Sequence, residues 1–257
     1  MNRDYKIGPI IGVVMLSLII QIVLLLIYES VLDSSVVDLG YIFLSTIIII
    51  VTRYIISYGL IHNRMGNFKD YLHNIKHLTF NSIGVLFFLE LIKAIFELIN
   101  DSDNAIEFIY LLFSDSLFLT GMGLIIHIVL LIVYLIFLIY INYRYFVVAD
   151  RDDLPFTFLI RHIFKVGKDL TGHTIKIFLK YVLLPGFVLV LIILSGYQGF
   201  IDIGGIPFLA LIIVILGEIW DIFITIKYSN VYLDYIGNES MDVKKEVFPK
   251  KEETEKE

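Results

Sequence analysis

IGPIIGVVMLSLIIQIVLLLIY, residues 7–28, runs for 22 positions without one charged side chain. At about 1.5 Å per residue, a helix of that length crosses the roughly 30 Å hydrocarbon layer of a bilayer. A secretory leader carries a shorter apolar region, about 7–15 residues, before a small-residue cleavage site. No such site follows Tyr28, so the stretch reads as a retained first span. Five more runs of the same character follow, at 41–61, 83–99, 117–143, 181–200 and 204–226. The chain has 257 residues, 58% of them hydrophobic, and a mean hydropathy of +0.85. That is more apolar matter than a water-soluble core of this size buries. The expected architecture is therefore all-α and polytopic, with six transmembrane helices in one membrane-embedded domain over 1–238. The remainder, 239–257, is charged and nearly free of apolar residues, and is expected to be disordered.

Charge fixes the orientation. Of the 20 Lys and Arg, Arg53 and Lys93 lie inside apolar runs, and the other eighteen fall on one side of a six-span path. The connections 29–40, 100–116 and 196–206 hold none. Basic loops stay in the cytoplasm, so both termini are expected inside. The net charge of −6 comes from acids on the outer connections, among them Glu29, Asp33, Asp38, Asp101 and Asp202, and from the tail. The basic inner face suits the anionic headgroups of the bilayer, and no nucleic-acid motif accompanies it.

Two inner connections are amphipathic at helical period and read as interfacial helices. Over 66–80, Phe68, Tyr71, Leu72, Ile75 and Leu78 oppose Lys69, Asp70, His73, Lys76 and His77. Over 155–170, Phe156, Leu159, Ile163, Val166 and Leu170 oppose Arg161, Lys165 and Lys168. Asp152 and Asp153 are placed to cap the second helix, with Pro155 in its first turn and Gly172 past its end. Each helix is expected to lie in the headgroup plane, apolar side down, the alternative being a solvated helix docked on another protein. Arg53-Tyr54 and Arg144-Tyr145 recur before the two elbows, which suggests a parallel internal repeat of 41–99 and 117–200. Asp115, Ser116 and the cluster Thr120, Gly121, Met122 and Gly123 are expected to interrupt 108–143, leaving Phe108 to Phe113 as an interfacial or re-entrant piece.

Charges inside apolar runs cost about 2.5–3.5 kcal/mol each at a helix centre unless paired or turned to a polar interior. Glu90, Lys93 and Glu97 share one stripe of the third span; Glu218 and Asp221 share a face of the sixth; His127 is central in the fourth. Arg53 and Glu90 sit roughly 10–12 Å from the inner ends of consecutive antiparallel spans, which makes them expected partners. Two readings stand for this set: interhelical glue, or a proton or cation path. No phosphate loop, zinc spacing or nucleophile elbow is present, and the glycines at 196, 199, 204 and 205 have no phosphate-loop context. There is no cysteine, which excludes disulfides and thiolate chemistry. No catalytic residue, cofactor or metal site is expected.

From Tyr143 on, the order of features resembles a family of uncharacterised bacterial six-span membrane proteins. It is also similar to the membrane domain preceding some glycerophosphodiester phosphodiesterases. The residues that carry the resemblance are YRYFVVAD (143–150), Leu154-Pro155, the basic amphipathic helix, KVGKDLTG (165–172), Gly205-Ile206-Pro207 and a last span ending near Tyr232. Gly167 and Lys168 stand in the reverse of the family's order. The resemblance implies a bacterial membrane protein and no catalytic residues. Two functions remain open: a non-enzymatic accessory or scaffold subunit working beside another membrane protein or lipids, or a transporter subunit served by a separate ATPase.

Overall fold

A computed structural model describes residues 4–30, 35–100, 117–186 and 206–247, and all regular structure within them is helical. The helices are α1 (Ile7–Ser30), α2 (Ser35–His62), α3 (Phe68–His73), α4 (Phe80–Asn100), α5 (Leu117–Ile141), α6 (Arg144–Asp150), α7 (Phe156–Asp169), α8 (Thr171–Phe178) and α9 (Ile206–Val247). Three stretches, Ile7–Tyr28, Gly40–His62 and Ile125–Asp150, are long and apolar enough to cross a membrane. The four expected spans up to residue 143 each coincide with a helix. Of the fifth, the part described is helical, beginning with a π turn at Leu179–Leu183. Of the sixth, the part described lies within α9, which continues as a helix past the expected boundary at Asn238 to Val247. Phe108 to Phe113, with Asp115 and Ser116, lies outside the described residues. The cluster from Thr120 to Gly123 does not interrupt the helix, since α5 runs through it from Leu117.

The break comes later, at Asn142 and Tyr143. Asn142 N reaches back to the Ile139 carbonyl at 3.4 Å, and the chain restarts as α6. Tyr145, Phe146, Val147, Val148 and Ala149 of α6 are all buried, and α6 packs on α2. Helix α2 is the hub of the bundle and also touches α1, α3, α4 and α9.

Burial is uneven along the helices. Ile10, Val13 and Val14 of α1, Ile50 to Leu60 of α2 and Val85 to Leu89 of α4 supply buried side chains at the end of the bundle that carries the basic connections. Away from it, Ile19, Leu26, Ile42, Phe43, Leu98, Ile125 and Ile132 point outward. Contiguous apolar surface of this extent is what a hydrocarbon solvent covers.

A polar layer closes the basic end. Arg64 Nη2 donates to Ser229 Oγ and to Asn230 Oδ1, each at 2.7 Å, which ties the end of α2 to α9. Tyr232 OH donates to Asp150 at 3.0 Å, and Asn81 Nδ2 donates to the Leu154 carbonyl at 2.7 Å. The Tyr58 ring lies between His62 and His77, with centroids 4.3 and 4.6 Å away. Tyr71 is fully buried against Gly59. Burial pushes its hydroxyl up to about 12, against the opposing pull of the Arg64 guanidinium.

Both amphipathic segments fold as helices, but much of each apolar face looks into the protein, while Phe68, Ile75 and Phe156 stay exposed. Leu159, Ile163 and Val166 of α7 are fully buried, and Phe164 lies near the rings of Phe137 and Tyr140. Tyr71 does the same for α3. Helical periodicity is blind to what covers the apolar stripe: lipid and a neighbouring helix demand the same pattern. Capping also differs from expectation. Pro155 occupies the N-cap of α7 with no side-chain cap, and Gly172, past the end of α7, already belongs to α8.

Candidate functional site

Four segments enclose a cavity of about 210 Å³ within the apolar length of the bundle. Its polar lining comes from Ser17 and Gln21 of α1, Thr52, Arg53 and Ser57 of α2, Asn142, Arg144 and Tyr145 at the α5–α6 break, and Glu218, Asp221, Thr225 and Tyr228 of α9. Polar groups on apolar helices have one way to avoid hydrocarbon, which is to turn toward one another, and here they do so around shared space.

Arg53 crosses from α2 to α9. Its Nη2 stands 3.2 Å from Asp221 Oδ2, and both side chains are 44% exposed because they face the open volume. The second guanidinium is placed differently. Arg144 is 13% exposed and pairs with Glu90 of α4, which is 14% exposed. Tyr145 OH donates to the same Glu90 oxygen at 2.8 Å. Arg144 also donates from Nη1 to the Ile141 carbonyl at 3.2 Å, which satisfies an acceptor at the end of α5. Its guanidinium lies 4.7 Å from the Tyr145 ring centroid.

From Glu90 the polar line continues along α4. Lys93 Nζ is 3.9 Å from Glu90 and 3.3 Å from Glu97, and Tyr134 OH of α5 donates to Glu97 at 3.0 Å. The stripe read from the third span is therefore an ion-pair ladder facing α5. On α9 the single tryptophan, Trp220, donates its indole N–H to the Tyr181 carbonyl at 2.6 Å, within the π turn that follows α8. A π turn shifts the backbone register and leaves a carbonyl there for an outside donor.

The expected Arg53–Glu90 pair is not formed. Matched depth sets the height of two side chains on neighbouring helices but not the direction each points. Arg53 points to α9 and Glu90 to the α5–α6 break. Arg144, counted from the sequence among the connecting-loop bases, is folded back into the bundle by that break. Glu218 and Asp221 do share a face, and both line the cavity. His127 is half-buried on α5 and does not line it. Arg161, Lys165 and Lys168 stand exposed on the outer face of α7.

Arg144, Tyr145 and Asn142 are the site residues that sequence reasoning missed. The recurrence of Arg-Tyr at 53–54 and 144–145 was the available signal, since both arginines reach the same cavity. Among the described residues no group of three or more His, Asp or Glu side chains converges as for a transition metal. No family model, no curated protein and no solved structure matches this chain.

Proposed function

We propose that this is a six-span, non-enzymatic protein of a bacterial cytoplasmic membrane, with both termini inside, acting as an accessory or scaffold subunit beside anionic lipid and a membrane partner. The observation that carries this reading is the construction of the basic end. There α6 and the Leu159, Ile163 and Val166 face of α7 are buried in the bundle, and α7 is left with Arg161, Lys165 and Lys168 directed outward. A rigid platform with an outward basic face beside the membrane attracts anionic headgroups, at about 1 kcal/mol per basic residue near the surface. The charge split along the sequence and the resemblance of the last hundred or so residues support the same placement, as does the Arg-Tyr recurrence for a parallel internal repeat.

The platform is tested on the full-length protein in zwitterionic detergent micelles doped with phosphatidylglycerol or with phosphatidylcholine. Phosphatidylglycerol is expected to raise the melting temperature, and added salt is expected to abolish the gain by screening. Combined Arg161→Glu, Lys165→Glu and Lys168→Glu should abolish it as well. Equal melting temperatures in the two lipids would sink the platform reading.

A second reading, a transporter subunit served by a separate ATPase, is favoured by one observation, the polar cavity among α1, α2 and α9. On this reading α3 and the 3₁₀ turn Asn74–His77 form the docking elbow, with Lys69 and Lys76 exposed for an acidic partner surface.

A further inference from the structure

We propose that the cavity holds a partly hydrated alkali cation, with the Glu218 carboxylate as its charged ligand. The proposal deepens the transport reading of the cavity and rests on the helices crossing the membrane.

Charge balance comes first. Four charged side chains line the cavity: Arg53, Arg144, Glu218 and Asp221. Arg53 is balanced by Asp221 at 3.2 Å, and Arg144 by Glu90 behind the cavity wall. Lys93 is held between Glu90 and Glu97, directed away along α4. Glu218 makes no hydrogen bond or ion pair of its own among the described residues and feels the Arg53 charge only at longer range, one turn from Asp221 on the same face of α9. An unbalanced carboxylate at this depth costs several kcal/mol, and taking up one positive charge removes that cost.

The chemistry of the walls selects the kind of charge. Hard cations take oxygen ligands, and Glu218 shares the cavity with the hydroxyls of Ser17, Ser57 and Thr225 and the amide of Gln21. The wall also includes Asn142, where the backbone is interrupted between α5 and α6, and broken helices within membranes are where alkali ions find carbonyl ligands. A divalent ion would need a second free carboxylate, but Asp221 is engaged by Arg53. A cavity of about 210 Å³ holds a monovalent ion with several of its waters.

The only tryptophan of the chain, Trp220, lies between Glu218 and Asp221 in sequence and reports on the site. The test titrates NaCl, KCl and choline chloride, at constant ionic strength, into purified full-length protein in detergent, reading Trp220 fluorescence and melting temperature together. Sodium or potassium is expected to give a saturable change that choline does not, and to raise the melting temperature. Glu218→Gln is expected to weaken binding at least ~10-fold, about 1.4 kcal/mol. In choline this variant should melt no lower than the parent, because it removes an unbalanced charge; a purely structural carboxylate would make it melt lower. Equal responses to sodium, potassium and choline would overturn the proposal, as would undiminished binding by Glu218→Gln. A fluorescence change with pH in choline that no alkali ion shifts would assign the site to a proton and overturn it too. None of these outcomes bears on the lipid platform at α7.

Discussion

Among the described glycines, Gly167 is the one whose replacement by alanine is expected to do the most damage. A Cβ at Gly167 would stand 1.9 Å from the Tyr140 carbonyl oxygen and 2.6 Å from Tyr140 Cα, so it meets backbone rather than a flexible side chain. Helix α7 would have to move off α5, which would loosen the packing around Leu159, Ile163 and Val166. Each of those buried side chains is worth about 1.5–3 kcal/mol when fully covered, and overpacking alone costs about 1–3 kcal/mol. Loss of roughly 3 kcal/mol or more is therefore expected, read as a drop in melting temperature or in folded yield from detergent extracts. Gly172→Ala is the control, since nothing lies within 4 Å of its added carbon and α8 gains a better helix former. Equal melting temperatures for the two variants would contradict the close α5–α7 crossing.

The second large effect lies at the Glu90–Arg144 pair. Both side chains are largely withdrawn from solvent, at 14% and 13% exposure, and Tyr145 OH completes the cluster. Breaking a buried pair from one side strands a charge and costs about 3–5 kcal/mol, whereas removing both charges costs much less. Glu90→Ala and Arg144→Ala are each expected to destabilise strongly. Glu90→Ala combined with Arg144→Ala should fall short of the sum of the single losses by at least ~1 kcal/mol. Arg53→Ala and Asp221→Ala form the comparison. That pair is 44% exposed on both sides, so each loss should be smaller than at Glu90 or Arg144. Additive losses at Glu90 and Arg144 would show that the cluster is not a unit.

The long helices were legible from the sequence, because an apolar run marks where a helix lies, though not where it stops, since α9 runs on to Val247. The Glu90–Lys93–Glu97 stripe and the shared face of Glu218 and Asp221 were legible for a similar reason, since spacing along one helix is a property of that helix. The pairings between helices were not. Arg53 and Glu90 match in depth, yet each turns to a different neighbour, and azimuth follows from packing that no single helix encodes. The break at Asn142 and Tyr143 was hidden for a second reason. Asparagine after a long apolar run reads as the end of a span, and nothing local says that the next seven residues turn inward as a buried helix. The α7 face from Leu159 to Val166 was read as a lipid contact because a lipid and a protein surface impose the same period.

Orientation is the claim on which the platform, the lipid contacts and the cavity's depth all depend, and the absence of native cysteine makes it directly measurable. Single cysteines replace Ser34, Asn104 and Asp202 in the connections free of Lys and Arg, and the exposed Lys76 and His173 at the basic end. In intact cells a membrane-impermeant maleimide is expected to label Ser34→Cys, Asn104→Cys and Asp202→Cys. Lys76→Cys and His173→Cys should react only after permeabilisation. Labelling of Lys76→Cys or His173→Cys from outside intact cells would contradict the inward basic face and, with it, the six-span arrangement.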